Sequence, residues 1–187
     1  MDQAALIALG SNRPSPAGPP LKTVENALVA LARAPGLTSL ATSRLYGTPA
    51  FPPGAGADYV NAVAAFSCSL PADDLLALLH RIEADHGRTR ATRWGARNLD
   101  LDLLSLGDAV LPSATLWWQW HDLPLDRQAV EVPDRLILPH PRLQDRAFVL
   151  VPMADVAPDW RHPVLGRTVR QMLAALPPED VAAVIPL

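Results

Sequence analysis

Hydrophobic positions along the chain recur with either helical or strand-like spacing. The sequence of these two spacings predicts the order of the helices and strands. Apolar residues recur at helical spacing over 21–34 and 71–86. Short apolar or alternating runs typical of strands cover 4–9, 40–47, 59–69 and 99–104. The predicted order is therefore β-α-β-β-α-β, an α+β fold with a ferredoxin-like core in which an antiparallel sheet carries two helices on one face.

The remainder of the chain predicts a C-terminal extension of this core. A helix over 148–156 is expected to be interrupted by Pro152, a short amphipathic helix covers 167–176, and 177–187 is a peripheral strand or tail. The tryptophan-rich insertion, residues 111–135, is compatible with a long flap, an extra hairpin or an oligomer contact. No repeat or linker divides the chain, so we expect one domain over 1–187.

The last predicted strand contains two acidic residues that share one face. Leu99, Leu101 and Leu103 share one phase, and Asp100 and Asp102 share the other. Successive side chains of a strand point to opposite faces, so the leucines enter a core while the two carboxylates emerge together. Paired carboxylates repel each other unless a cation lies between them, and Mg²⁺ prefers such oxygen ligands together with substrate phosphates.

Arginines precede this strand, and guanidinium groups are suited to binding phosphates. They are Arg88, Arg90, Arg93 and Arg97. Each half of the pattern has an ordinary explanation, because exposed strand faces are normally polar and most arginines are solvated. Their combination within a few residues predicts a site for a polyphosphate with its magnesium.

Composition narrows the class of protein. The chain has 187 residues, is 49% hydrophobic and has a net charge of −3, which does not favour a general nucleic-acid-coating role. Cys68 is the single cysteine, so no internal disulfide can form. No apolar run approaches the ~20 residues of a membrane helix, and no basic leader precedes the first strand. We expect a cytoplasmic protein.

Several short motifs follow one another in a recognisable order. They are Gly10-Ser11-Asn12, Thr48-Pro49, Asp58-Tyr59-Val60-Asn61, the segment from Arg93 to Asp102, Pro139-His140 and Arg146-Ala147-Phe148. Together they resemble the 6-hydroxymethyl-7,8-dihydropterin pyrophosphokinase family. The resemblance implies an ATP- and Mg²⁺-dependent transferase that moves pyrophosphate from ATP to the pterin hydroxymethyl group. It would release AMP and the pterin diphosphate in folate biosynthesis.

The same resemblance assigns roles to individual residues. Asp100 and Asp102 would hold two Mg²⁺ ions and act in catalysis with Arg88 and Arg97, and Asp102 is our candidate proton acceptor. The implied ATP contacts are Glu83, Arg90, Trp94, Arg97, Arg135, His140 and Arg146. The implied pterin contacts are Thr48, Pro49, Phe51, Tyr59, Asn61, Trp94 and Phe148. Stacking aromatic rings and an edge-reading amide suit a flat heterocycle.

Some features depart from the family pattern. The insertion is longer than expected, and we predict that its tryptophans cover the nucleotide side or form a subunit contact. His80 stands where some relatives would have glutamine, and Pro141 stands at a position that can be aromatic. These departures concern individual nucleotide contacts rather than the reaction.

Competing functions remain at this stage. The P-loop motif is missing from the sequence, which excludes a P-loop kinase. A kinase for another flat heterocyclic alcohol, a ferredoxin-like RNA-binding module and a ligand-binding relative without catalysis are the alternatives. We expect ATP and the pterin as partners of a monomer, with no nucleic acid and no membrane.

Overall fold

A six-stranded antiparallel sheet organises the computed structural model, which describes residues 2–50, 56–87, 98–124, 127 and 130–187. The strands are β1 (Gln3–Ser11), β2 (Leu37–Thr42), β3 (Tyr46–Thr48), β4 (Tyr59–Cys68), β5 (Asp100–Leu106) and β6 (Ile185–Pro186). Their order is β5-β1-β4-β3-β6, and β2 also pairs with β4. The strands β1 and β4 therefore form the centre of the sheet.

Helices lie on both faces of this sheet. They are α1 (Pro20–Arg33), α2 (Ala72–Asp85), α3 (Ala114–His121), α4 (Ala147–Val156), α5 (Val169–Leu173) and α6 (Pro178–Ala182), with a 3-10 turn at Leu143–Asp145. Ile7 and Leu9 pack with α1 and α2 on one face, whereas Leu6 and Ala8 pack with α4 and α5 on the other. Alternate residues of β1 thus contribute their side chains to two hydrophobic cores, one on each face of the sheet.

The predicted antiparallel sheet with packed helices is confirmed, whereas the ferredoxin-like detail is not. The extension covers the second face with helices and adds β6 to the sheet. The expected strand over 40–47 is split into β2 and β3. Ser43 lies at the break, where its N–H donates to the Val63 carbonyl at 2.9 Å and its Oγ accepts from the Val63 N–H at 3.0 Å.

The C-terminal half contains further differences from the predictions. Pro152 was expected to interrupt its helix, but α4 continues through it. The insertion contains α3 rather than a hairpin, and Ser113 caps this helix by accepting the Leu116 N–H. The predicted helix over 167–176 is confirmed in the shorter form of α5, which begins with a capping box between Thr168 and Gln171. Among the described helices, none is long and apolar enough to cross a membrane.

Candidate active site

The sheet register brings the amide and carboxylates of the predicted site onto one face. Gly10 lies opposite Asn61 of β4 and opposite Asp100 of β5, and Ala8 lies opposite Asp102. Residues two apart on a strand share a face, so these positions belong to the face that α4 and α5 partly cover. Asn61 and Asp100 are therefore separated by one strand, about 10 Å from backbone to backbone.

The amide of Asn61 has a defined orientation. Its Nδ2 donates to Thr48 Oγ1 at 2.7 Å, and both residues are buried. A Cβ atom on Gly10 would come within 3.1 Å of Asn61 Oδ1 and 4.0 Å of the Tyr59 ring. The acceptor oxygen thus lies over the bare backbone of Gly10. It could accept a hydrogen bond from an N–H group at the edge of a heterocycle.

Two aromatic side chains accompany this amide in the prediction. Tyr59 shares the face of Asn61 because it lies two residues earlier on β4. Phe148 lies in the first turn of α4, remains 40% exposed, and has the Arg146 guanidinium 5.6 Å from its ring centre. Pro49 directly follows β3 and is exposed. Tyr59 therefore lies beside the Asn61 amide on β4, whereas the pairing of Phe148 with this amide stays a prediction.

Glu83 supports the strand that carries Asp100 and Asp102. Asp100 and Asp102 are half-buried on β5, while Glu83 of α2 is only 1% exposed. Glu83 Oε1 accepts the N–H of Leu101, the residue between the two aspartates, at 2.8 Å. Because β5 is an edge strand, this carboxylate takes the place of a neighbouring strand and holds the segment that carries both aspartates.

His140 lies close enough to Asp100 to interact with its charge, and its imidazole is neutral. Its backbone N–H donates to the Leu104 carbonyl of β5 at 2.8 Å, and its Nδ1 accepts the Arg142 N–H at 3.1 Å. Burial lowers the pKa of His140 to about 3, and the positive charge of Arg146 adds to this effect while Asp100 opposes it. The ring proton of the neutral form is consequently on Nε2, which makes Nε2 a donor.

The remaining predicted nucleotide residue, Arg135, lies on an exposed segment. It pairs with Asp134, with 2.7 Å between Nη2 and Oδ2, and this carboxylate raises the pKa of the guanidinium. Arg135 also lines an open cavity of about 400 Å³ together with Leu116 and Trp120 of α3. Arg135, the last residue of the insertion, therefore shares one cavity with α3.

Five predicted site residues lie outside the described residues. They are Phe51, Arg88, Arg90, Trp94 and Arg97. Their predicted roles stay predictions.

Three residues shape this region in ways that sequence reasoning did not identify. Gly10 belonged to a recognised motif, but only the register shows that it lies between Asn61 and Asp100. Ser11 donates its hydroxyl to the Asn98 carbonyl and so ties the end of β1 to the start of β5. Trp117 is fully buried within the chain, so its ring cannot form the subunit contact considered for the insertion.

Comparison with known proteins shows the family of the chain. The family model for 7,8-dihydro-6-hydroxymethylpterin-pyrophosphokinase, or HPPK, matches residues 6–158. The chain belongs to the HPPK family. The family match therefore includes most of β1, all of β2 to β5 and every predicted site residue.

Curated relatives resemble the chain over most of its length. A 2-amino-4-hydroxy-6-hydroxymethyldihydropteridine pyrophosphokinase of Pseudomonas aeruginosa is 40% identical over 97% of this chain and 96% of its own length. The enzyme of the same name from Synechocystis sp. is 36% identical over 98% of this chain and 80% of its own length. The HPPK assignment thus extends beyond the segment matched by the family model.

Solved structures with the same fold include chains much longer than this one. The wild-type Plasmodium falciparum HPPK-DHPS with pteroate has a TM-score of 0.65 at 13% identity, covering 93% of this chain. This chain spans only 44% of that protein. At this identity the similarity shows the fold alone, an antiparallel sheet with helices packed on it.

Proposed function

We propose that this HPPK-family chain transfers the pyrophosphoryl group of ATP to 6-hydroxymethyl-7,8-dihydropterin in folate biosynthesis, giving AMP and the pterin diphosphate. The pterin hydroxymethyl oxygen forms a bond to the β-phosphorus, and the bond from that phosphorus to the oxygen bridging it to the α-phosphorus breaks. The leaving oxygen departs with AMP. The observation that supports this function is the arrangement of Asn61 and Asp100 on either side of Gly10.

The pterin would lie over Gly10 with its donor edge towards Asn61. Asn61 Nδ2 is engaged by Thr48, so Oδ1 remains to accept from the pterin N–H groups. Tyr59 and Phe148 would stack on the ring, and Pro49, Phe51 and Trp94 would complete the pocket. This orientation directs the hydroxymethyl arm towards the carboxylates.

Asp100 and Asp102 would hold two Mg²⁺ ions. Within the described residues there is no group of three or more His, Cys, Asp or Glu side chains that could hold a metal. Two carboxylates that share a face fit Mg²⁺, because this ion is typically bound by one or two carboxylates with phosphates and water. When bound, Mg²⁺ neutralises phosphate charge and polarises the reacting oxygens.

The nucleotide would be held by cationic groups and a neutral donor. Arg88 and Arg97 would stabilise the transferring group, and Arg90, Trp94, Arg135 and Arg146 would contact ATP. His140 Nε2–H would donate to a phosphate oxygen, which a neutral imidazole can do across the neutral pH range. Glu83 supports the aspartate strand through the Leu101 N–H, and its predicted contact with ATP stays a prediction.

The proton of the hydroxymethyl group needs an acceptor beside the metal ligands. Asp102 is our candidate, since it shares the face of Asp100 and a carboxylate can accept a hydroxyl proton. The proposal further includes a monomer working in the cytoplasm with ATP as donor. Sedimentation of the purified protein with and without substrates tests the monomer.

A product-resolved assay tests the reaction itself. The protein is incubated with ATP, Mg²⁺ and 6-hydroxymethyl-7,8-dihydropterin, and nucleotides are separated by chromatography, with a reaction lacking pterin as control. Pterin-dependent AMP is the expected product. ADP would contradict pyrophosphoryl transfer, and a folded protein that turns over no nucleotide would indicate a ligand-binding relative without catalysis.

A further inference from the structure

The tryptophan-rich insertion contacts the segment that carries His140. Trp117 of α3 is 0% exposed, and its Nε1–H donates to the Pro139 carbonyl at 2.8 Å. Proline has no N–H, so this carbonyl is the only backbone hydrogen-bonding group of Pro139. The indole of Trp117 therefore holds the residue directly before His140.

A second hydrogen bond joins the same helix to the other side of His140. Arg142 Nη1 donates to the carbonyl of His121, the last residue of α3, at 3.1 Å. A cation at this position is favoured because carbonyls at a helix C-terminus carry partial negative charge. The N–H of Arg142 in turn donates to His140 Nδ1 at 3.1 Å. The helix α3 thus contacts the chain both before and after His140.

Trp117 is itself fixed by aromatic neighbours. Its ring stacks on His121 at 4.9 Å between centres and meets His162 edge-on at 5.0 Å. Trp118, the next residue on α3, is 41% exposed and has no hydrogen bond to the His140 segment among the described contacts. Both tryptophans contact His121 at 4.9 Å between ring centres, but Trp117 is the buried one of the two and the one that donates to Pro139. They therefore form a matched pair for an experiment.

We propose that Trp117 is a positioning residue for His140, so that the insertion sets the affinity of the site for ATP. This inference rests on the proposed function, in which His140 donates to a phosphate. Trp117 does not touch the nucleotide in this arrangement. It acts by holding the Pro139 carbonyl, and with it the backbone that directs His140 Nε2.

Trp117→Phe and Trp118→Phe test this role. Phenylalanine keeps an aromatic ring but removes the indole N–H, which at position 117 leaves a buried carbonyl without its donor. We expect Trp117→Phe to raise KM for ATP about tenfold, while KM for the pterin and kcat stay near the wild-type values. Trp118→Phe should leave all three constants unchanged. Thermal melts of both variants report folding separately.

The outcomes separate this inference from the proposed function. A wild-type protein that makes no pterin-dependent AMP would overturn the function. An active wild type in which Trp117→Phe matches Trp118→Phe in KM for ATP would overturn only the inference. Equal increases in both KM values would also overturn it, since they would indicate general damage.

A second variant covers the case in which Trp117→Phe does not fold. Arg142→Lys keeps the positive charge but shortens the reach to the His121 carbonyl. We expect a several-fold rise in KM for ATP with KM for the pterin unchanged. An unchanged KM for ATP in this variant would contradict the proposal.

Discussion

Asn61 and Asp100 lie on one face of the sheet with Gly10 directly between them, opposite both residues. The missing side chain of Gly10 leaves room over the backbone between an amide and a carboxylate. In the proposed reaction, this gap receives the pterin, with its reactive arm towards the carboxylates.

Gly10→Ala should impair pterin binding more than ATP binding. The added Cβ would lie 3.1 Å from Asn61 Oδ1, so the amide must move by a few tenths of an ångström. Small displacements of positioning groups are costly, and we expect kcat/KM for the pterin to fall about tenfold with KM for ATP unchanged. Steady-state kinetics with each substrate varied in turn measures this.

Gly47→Ala is the control for that substitution. Its added Cβ would meet the far end of the flexible Leu187 side chain at 3.3 Å, away from Asn61. Its kinetic constants should match the wild type. Equal kinetic loss in both variants would show that Gly10 has no special place in the site.

Thr48→Val tests the orientation of the Asn61 amide. Valine has nearly the shape of threonine but lacks the Oγ1 that accepts from Asn61 Nδ2. A buried donor left without an acceptor costs about 1–3 kcal/mol. We expect a lower free energy of unfolding in urea and a raised KM for the pterin. Thr42→Val, at the exposed end of β2, should change neither quantity.

Asp102→Asn tests the predicted metal and proton-accepting site. An amide carries no negative charge and accepts no proton at neutral pH, so we expect kcat to fall on the order of 100-fold or more. Asp108→Asn is the control, because Asp108 lies exposed in the turn after β5. Turnover of Asp102→Asn near that of Asp108→Asn would remove Asp102 from the site.

Two substitutions of Glu83 separate its hydrogen bond from its charge. Glu83→Gln retains an oxygen that can accept the Leu101 N–H, whereas Glu83→Leu does not. Loss of support behind metal ligands typically costs roughly 10- to 100-fold in metal affinity. We expect Glu83→Leu to need correspondingly more Mg²⁺ for half-maximal turnover. Glu83→Gln should resemble the wild type, and a loss equal to that of Glu83→Leu would assign the effect to charge.

His162 should make the stability of the protein fall in mild acid. It is fully buried, and its Nδ1 accepts the N–H groups of Val164 and Leu165, both at 3.2 Å. Burial lowers the pKa of His162 to about 4, with His121 adding repulsion. An unfolded histidine has a pKa near 6.5, so the unfolded state binds more protons between these values.

The direction in which stability changes with pH follows from this difference in protonation. The contribution of His162 is fully present above about pH 6.5 and is lost as the pH falls towards 4, with a slope of at most about 1.4 kcal/mol per pH unit. His162→Asn removes the titrating group, so the free energy of unfolding, measured in urea from pH 7 to 4, should vary less. Part of the pH dependence should remain in this variant, because the pKa of His140 is also lowered in the folded state. An unchanged slope would contradict this account.

The amino-acid sequence determined most of the elements and the carboxylate pair. The alternation of Asp100 and Asp102 with leucines is a local pattern of period two, and β5 has the predicted alternation. The boundaries of α2 were also set by nearby residues, since Pro71 precedes this helix and Gly87 follows it with a positive φ of 81°. Such features depend on near neighbours along the chain, which a sequence displays directly.

The tertiary structure alone decided which residues face one another. The position of Gly10 between Asn61 and Asp100 depends on the register of three strands that are far apart in sequence. The same holds for Glu83 with Leu101 and for Trp117 with Pro139, which join a helix to a distant strand or turn. Register and packing arise from the burial of whole faces, and no local pattern contains them.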